Sequence, residues 1–580
     1  MNNSNNIKWN FSSYTYAKGR TYIISYYNHW DPEKKQSRIA KRIHVGRLNG
    51  DTGEVTLSKN YLQLHPELCG KELFYENNKL IERDDEEIKK IRDEAVSDLS
   101  YRTDSVSFGL TYALWEKSKA RGILDALKHV FGDEDGANLL RLGIYTLISR
   151  NGAMANYEDW LPMYYLPDAH PLSSWDITSL LSKVTQEKID SYFSLRHERI
   201  LDEHKAKLKD DKQLAPLLMA IDSTSISTYS DTIDNASFGH SKQDKFLKQI
   251  NLTLCADYDT GDICYAYESE GSITDMALYP ELLLRMQQLG IDLSDVLLVT
   301  DRGYSSIMNV QKLINCKMMF LTGVPLKEDS VKVLIRKYRQ SLNNPTFMHG
   351  ALGSYARTAP TEKWTSTCDG INIEYPVYLH LYHDGVLGES QTRDFMQNIS
   401  RLLEIKNNNL KSDPDLWRQY GRYVIQDQKS KLWSVNAKAV EQRCEFNGYF
   451  AIRTNTIKNP FDSLVIYRER NIVETAFRQY KVLNDCNRLN CSATSYKGKI
   501  LLHLIAQSLR MIMCVSAGHH KAEGKILPGD SLFKAMLQLQ HLQASRPAGR
   551  GVWIVKEIPK KTKDLFDLMD IPYPKKIVKN

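Results

Sequence analysis

The chain has 580 residues, 42% of them apolar, which is material for several domains and a large core. Its net charge of +7 is mild, from 77 basic and 70 acidic residues, and its nine cysteines form no CxxC pair or regular spacing, which speaks against a zinc site or a disulfide framework and suits a reducing cytoplasm. No apolar run approaches the roughly 20 residues that span a bilayer, and the polar start MNNSNNIKWN is not a signal peptide, so a soluble cytoplasmic protein is expected.

Charge is unevenly placed. Between Lys8 and Arg47 the bases Lys18, Arg20, Lys34, Lys35, Arg38, Lys41 and Arg42 face only Asp31 and Glu33, and the stretch from Arg546 to Lys579 is basic too. Both ends suit a polyanion. Tyr22 to Tyr27 is rich in β-formers, and after the turn DPEKKQ the segment Ser37 to Val45 alternates, with Ile39, Ile43 and Val45 on one side and Arg38, Arg42 and His44 on the other. This reads as a hairpin with a basic face, either a ribbon that enters a DNA groove or an edge protected by charge. From Glu76 to Leu99 the charges recur at helical spacing, as in a solvated connector. Leu110 to about Lys205 is helical in pattern, with Ser173 or Ser174 capping a helix near Trp175; a plain bundle is the simpler reading and a helix-turn-helix the other.

Leu217 to Ile221 and Val296 to Val299 are short continuous apolar runs, the pattern of strands buried on both faces. Asp222 ends the first and Asp301 follows the second, with Gly303 allowing a tight turn. A carboxylate at the edge of a core must be neutralised, hydrogen-bonded or bound to metal, although each aspartate alone also fits a cap or a turn. Two further strands, in QINLTLCADY and DICYAYE, a helix from Met276 to Leu289, and a last strand at Met318 to Thr322 give a mixed sheet with helices on its faces. The stretch from Asp301 to Glu474 is too long for one connection. An inserted domain with β segments such as INIEYPVYLHLY and GYFAIRT is expected there, ending before a helix that starts at Pro460.

That helix carries YRERNIVETAFRQYK, in which Tyr467, Arg470, Glu474 and Lys481 are spaced as Tyr-x2-Arg-x3-Glu-x6-Lys. At about 100° per residue the four fall within an arc of roughly 60°. Ile466, Val473, Phe477 and Tyr480 form an apolar stripe beside them. Taken alone, the segment reads more readily as an amphipathic helix with surface ion pairs. A long helix from about Lys499 to Val515 precedes the basic tail.

Taken together, Asp222, Asp301 and Glu474 resemble the DDE triad of bacterial insertion-sequence transposases, specifically the group with the YREK C-terminal signature. All four signature positions match, and Gly303 and Tyr304 match the glycine and aromatic that follow the second acid. The resemblance covers roughly Leu217 to Leu509. It implies an α/β fold with an RNase H-like mixed-sheet catalytic core interrupted by a β-rich insertion, preceded by the N-terminal β-hairpin and a helical DNA-binding region. The expected division is 1–75 basic hairpin module, 76–205 helical connector, 206–324 first part of the core, 325–459 insertion, 460–517 C-terminal helices of the core and 518–580 basic tail.

The resemblance also implies a function. The expected protein is a Mg²⁺-dependent DDE transposase and endonuclease that binds the terminal inverted repeats of its element, cuts there and joins the ends to target DNA, as a homodimer in the synaptic complex. Two metal ions about 4 Å apart serve such chemistry, with Mn²⁺ able to replace Mg²⁺. Asp222, Asp301 and Glu474 would hold them. Tyr467, Arg470 and Lys481 would bind DNA near the cut, and Arg38, Lys41 and Arg42 would bind it from the hairpin. An inactive relative that only binds DNA, or an RNase H-like nuclease without strand transfer, would show the same residues.

Overall fold

The computed structural model describes residues 9–15, 21–32, 34–49, 53–68, 71, 73–76, 78–82, 104–210, 216–239, 246–368, 371–411, 413–520, 524–546 and 552–579. It divides into two compact units, Met1–Thr103 and Asp104–Asn580.

In the first unit, β1 (Asn10–Thr15), β2 (Thr21–Asp31), β3 (Gln36–Leu48) and β4 (Val55–Leu57) form an antiparallel sheet in that order. Ile23, Val45 and Val55 are buried with Tyr61 of α1 (Lys59–Leu64) and Leu73 of β5 (Leu73–Glu76). The expected β2–β3 hairpin is present, but its alternation is not kept along the whole strand. The pairing shifts register between Ile23 and Ile24 and again between Tyr27 and Asn28, and the distal half reaches past the core. Ile39 is consequently 53% exposed rather than turned inward with Val45. Where the charged helix was expected to begin, β6 (Lys79–Glu82) pairs with β5 instead; residues 83–99 of that helix lie outside the described residues.

The second unit opens with β7 (Asp104–Ser107) and the helices α2 (Gly109–Ala120), α3 (Ile123–Phe131), α4 (Asp133–Ile148), α5 (Ser174–Ser182) and α6 (Gln186–Asp210). Ser173 caps α5 in a reciprocal capping box with Asp176, as its position before the apolar run predicts. There follow β8 (Leu217–Thr228), β9 (Lys248–Asp257), β10 (Ile263–Glu270), α7 (Asp275–Gln288), β11 (Val296–Thr300), α8 (Ile307–Asn315) and β12 (Met319–Val324). The strands lie in the order β10-β9-β8-β11-β12, with β9 antiparallel to both neighbours and β11 parallel to both of its own. All five residues of β11 are buried, which is why its sequence is an unbroken apolar run closed by threonine.

The next stretch holds α9 (Asp329–Tyr338), β13 (Met348–His349), β14 (Ser354–Thr358), β15 (Glu362–Cys368), β16 (Ile371–His383), α10 (Gly385–Asn407), the small pair β17 (Val424–Gln426) and β18 (Trp433–Val435), and β19 (Tyr449–Thr454). Apart from the β17–β18 pair, its strands do not form a separate sheet. β19 pairs antiparallel with β12, β16 with β19 and β14 with β16, so the central sheet runs on through the segment expected as an insertion. Only α10 and its neighbours stand off, around Phe395, Ile399, Leu402 and Tyr423.

After α11 (Pro460–Glu469), α12 (Asn471–Arg478) and β20 (Arg488–Leu489), the helix α13 (Tyr496–His519) runs through the core against α4. Contrary to the reading of its sequence, α13 is long and apolar enough to cross a membrane; 83% of its apolar window is buried inside the protein, as in a core helix. The expected basic tail is also folded. It contains α14 (Leu532–Gln540), β21 (Gln543–Arg546), β22 (Val552–Val555), α15 (Lys560–Leu568) and β23 (Ile577–Lys579), and β21 pairs with β7, closing the two ends of the unit on one sheet.

A buried ion pair ties the helices to the sheet. Arg196 of α6 donates to Asp262 in the β9–β10 turn, both side chains almost fully excluded from water, and Arg121 reaches the same carboxylate at 3.3 Å. Removing one partner strands a charge in the core, so Asp262→Ala is expected to lower stability by about 3–5 kcal/mol in urea unfolding, whereas breaking the exposed Arg393–Glu389 pair should change it by less than about 1 kcal/mol.

Candidate active site

Asp222 and Asp301 are brought together by parallel strand pairing. The β8–β11 register sets Ile221 opposite Thr300, so the next residue on each strand is an aspartate. Asp222 does not end its strand, as its apolar run suggested; β8 continues to Thr228, paired with β9 throughout. What ends at this point is β11. Asp222 is the first residue of β8 beyond its parallel neighbour; further along, β8 is joined by β20 at Ser227 and Thr228. The turn after Asp301 closes with a Tyr304 N–H to Asp301 carbonyl bond of 3.1 Å, and Gly303 is not in the left-handed region, so this turn does not require glycine.

The segment expected as one helix is three. It breaks at Arg470, resumes as α12 and ends in a π-helical turn, Gln479–Leu483. Val473, Phe477 and Tyr480 are buried as predicted. The π turn is anchored by polar groups of α13: the Tyr480 hydroxyl meets His503 Nδ1 at 2.9 Å, and Asn484 donates to Gln507 at 2.9 Å while accepting from Arg510 Nε at 2.5 Å. Tyr467, Arg470 and Glu474 still reach one cleft. Lys481 lies half-buried in the π turn, where the regular 100° step on which its placement was predicted no longer holds.

Arg470 is the centre of the constellation. Its guanidinium is 2.5 Å from Glu474 Oε1, 3.8 Å from Asp222 Oδ2 and 3.9 Å from Asp301 Oδ1. It lies over the Tyr467 ring at 5.4 Å, and the Tyr467 hydroxyl donates to Asp301 Oδ1 at 3.3 Å. Gly323 of β12 makes room for that hydroxyl, since a Cβ there would collide with it. The ring is therefore engaged by Arg470 and by the sheet, and is not presented for stacking on a base. Burial would lower the Arg470 pKa, but Tyr467, Asp301, Glu474 and Asp222 together outweigh this and raise it. Burial also pushes the Asp222 carboxyl up to about 6, against the Ser223 N–H and Arg470, with Asp301 and Asp275 adding to the rise.

Asp275 was not singled out in the sequence. It stands in the first turn of α7, where an acid is favoured by the helix dipole alone, so nothing in its position marks it. In the fold its carboxylate accepts a hydrogen bond from the Ser223 hydroxyl, next to Asp222. Arg38, Lys41 and Arg42 lie on the exposed distal part of β3 in the first unit, Arg38 3.8 Å from Asp31.

Three carboxylates without thiolate or imidazole are the donor set of a hard divalent ion. Among the described residues no three acidic, histidine or cysteine side chains are close enough to hold one ion, because the acids converge on the guanidinium rather than on each other. Asp222 and Asp301, on adjacent strands and both facing that fork, fit a shared cation by donor type and adjacency; Glu474 fits when its pair with Arg470 opens.

No curated protein matches the chain. A solved piggyBac transposase synaptic complex with hairpin DNA aligns over 76% of this chain and 82% of that chain, at 11% identity and a TM-score of 0.32, too remote a likeness to inform fold or chemistry. The family described as "Transposase DDE domain" matches residues 214–507, just over half of the chain, and spans Asp222, Asp301 and Glu474. The chain belongs to the DDE transposase family.

Proposed function

We propose that this protein is the transposase of a bacterial insertion sequence, which binds the terminal inverted repeats of its element, cleaves DNA there and joins the ends to a target. Membership of the family makes it a metal-dependent nuclease or transposase. The observation that carries the finer reading is the convergence of Asp222, Asp301 and Glu474 on one guanidinium at the cleft where β11 stops. The strand order β10-β9-β8-β11-β12, in which β9, second from one edge, alone runs antiparallel to the other four, supports an RNase H-like core.

In this reading Asp222 and Asp301 hold divalent ions with Glu474, Mg²⁺ in the cell and Mn²⁺ as a substitute. Bound there, two such ions supply activation of the attacking oxygen and stabilisation of the departing one. Tyr467 orients the Asp301 carboxylate. Arg470 screens the three acids from each other and is placed to pass from Glu474 to a phosphate oxygen of DNA. Lys481 contributes a further cation toward the backbone of the DNA, and the β2–β3 ribbon, with Arg38, Lys41 and Arg42, holds the element end. Because two ends must be joined, the working form is a homodimer, acting in the bacterial cytoplasm at the nucleoid.

The deciding experiment incubates purified protein with duplex DNA carrying the element end and Mg²⁺. Cleaved and joined products support the transposase, cleavage alone a nuclease, and binding alone a DNA-binding relative. Asp222→Ala, Asp301→Ala and Glu474→Gln should each reduce cleavage by at least about a hundredfold while leaving end binding within about threefold, since these groups hold metal rather than phosphate. Near-wild-type cutting by any one of them removes that residue from the triad.

The hairpin is tested separately. Replacing Arg38, Lys41 and Arg42 by alanine should weaken end binding and lower the slope of log K against log salt by about 0.9 for each phosphate that the ribbon no longer neutralises. Filter binding between low and moderate salt reads this directly, and an unchanged slope assigns the ribbon to edge protection.

Asp222 also predicts a pH effect on the metal-free protein. Its folded-state pKa of about 6 lies above the ordinary 3.8, so the folded state holds the proton more tightly than the unfolded chain does. The cost of ionising it is absent below about pH 4, grows between about pH 4 and 6 and is fully present above, up to about 3 kcal/mol. In excess chelator, Asp222→Asn should therefore melt above wild type at pH 8, with the gap narrowing at pH 5.

A further inference from the structure

The side of Asp222 away from Arg470 carries chemistry that the triad does not use. Ser223 links two acids there: its N–H donates to Asp222 Oδ1 at 2.9 Å, and its hydroxyl donates to Asp275. Thr274 is the N-cap residue of α7 and makes no side-chain cap bond, so Asp275 begins that helix with its carboxylate turned to the sheet. The Asp275 charge is within Coulombic reach of Asp222. Beside them lies Tyr304, 1% exposed, its hydroxyl close to those of Ser223 and of the buried Thr253, the residue paired with Ser223 across β8 and β9. Asp275, Ser223, Thr253 and Tyr304 thus form a polar cluster beside the first acid of the triad, half-buried at Asp275 and Ser223 and buried at Thr253 and Tyr304.

An acid in the first turn of a helix is favoured by the dipole whichever neighbour it bonds. Here the carboxylate is also bonded to the strand that carries Asp222, and a positive charge brought to Asp222 gains from a second acid nearby. We propose that Asp275 is a fourth acid of this site, a positioning residue that strengthens the hold of Asp222 and Asp301 on a divalent cation through its charge. The inference rests on the metal-dependent reading above.

The test is the binding of Mn²⁺ to the full-length protein, followed by the paramagnetic resonance signal of the free ion, with thermal melting in chelator as a check on folding. Wild type should bind Mn²⁺, Asp222→Asn should lose that binding, and Asp275→Asn should bind it about five- to tenfold more weakly, with a melting temperature near wild type in chelator. Asp275→Glu, which keeps the charge, should bind within about twofold of wild type, and so should Ser223→Ala, which removes only the linking hydroxyl. Equal Mn²⁺ affinity in folded Asp275→Asn and wild type overturns the role of Asp275 and leaves the triad standing. If wild type itself binds no Mn²⁺ that depends on Asp222, the metal reading and this inference fall together. Should Asp275→Asn not fold, Asp275→Ser is read in its place, a five- to tenfold loss supporting the proposal and equal affinity overturning it, while a loss of fivefold or more in Ser223→Ala overturns it in favour of a structural hydrogen bond.

Discussion

Three carboxylates can share one cleft only with positive charge between them, and Arg470 supplies it. At 8% exposure Arg470 is almost wholly removed from water, a costly arrangement for its charge unless acids surround it. Asp222, Asp301 and Glu474 do so from three different elements, and Tyr467 covers its face. The charge that lets these acids coexist also decides how they are arranged, since each is drawn to the guanidinium and they remain apart. A divalent ion would offer the same acids a more concentrated charge.

The guanidinium keeps this position because the Arg470 segment is bent and anchored on both sides. The kink at Arg470 lets Tyr467 reach Asp301 from one helix while Glu474 faces the cleft from the next. A straight helix would have carried both on a single rigid face. The π turn then brings Tyr480 and Asn484 onto buried polar groups of α13, where burial keeps His503 neutral by holding its pKa well below the usual histidine range. The long core helix thus serves as the footing of the site, and its unusual load of His503, Gln507 and Arg510 inside an apolar stretch is explained by what they hold.

The central sheet has a similar economy. β11 is short and ends at Thr300, immediately before Asp301, while β8 continues, and this mismatch in length sets the two aspartates at the end of the shorter strand. On its far edge the sheet simply goes on through β12, β19, β16 and β14. The segment between the second and third acids is therefore coupled to the cleft by backbone hydrogen bonds rather than tethered to it by linkers.

Much of this was legible in the residues. Unbroken apolar runs ending in aspartate located β8 and β11, because strands buried on both faces leave no polar alternation, and the serine and proline signals set the starts of α5 and α11, because capping is local chemistry. The spacing of Tyr467, Arg470 and Glu474 predicted a common cleft, and they share one. What sequence could not contain was anything set by a partner distant in the chain. Ile39 lost its inward face to register shifts on β2, the supposed insertion joined the core sheet through β19, and the supposed tail found its partner in β7. Lys481 falls in a π turn where the regular helical step used to place it does not apply, and Asp275 entered the neighbourhood of Asp222 only through a hydroxyl on another strand. By itself the sequence determined which residues are charged, which are capped and which stretches must be buried, since those follow from side-chain chemistry over a few neighbours. Only the tertiary structure decided which charges meet, because that depends on strand register and on the polar groups that a core helix offers from far along the chain.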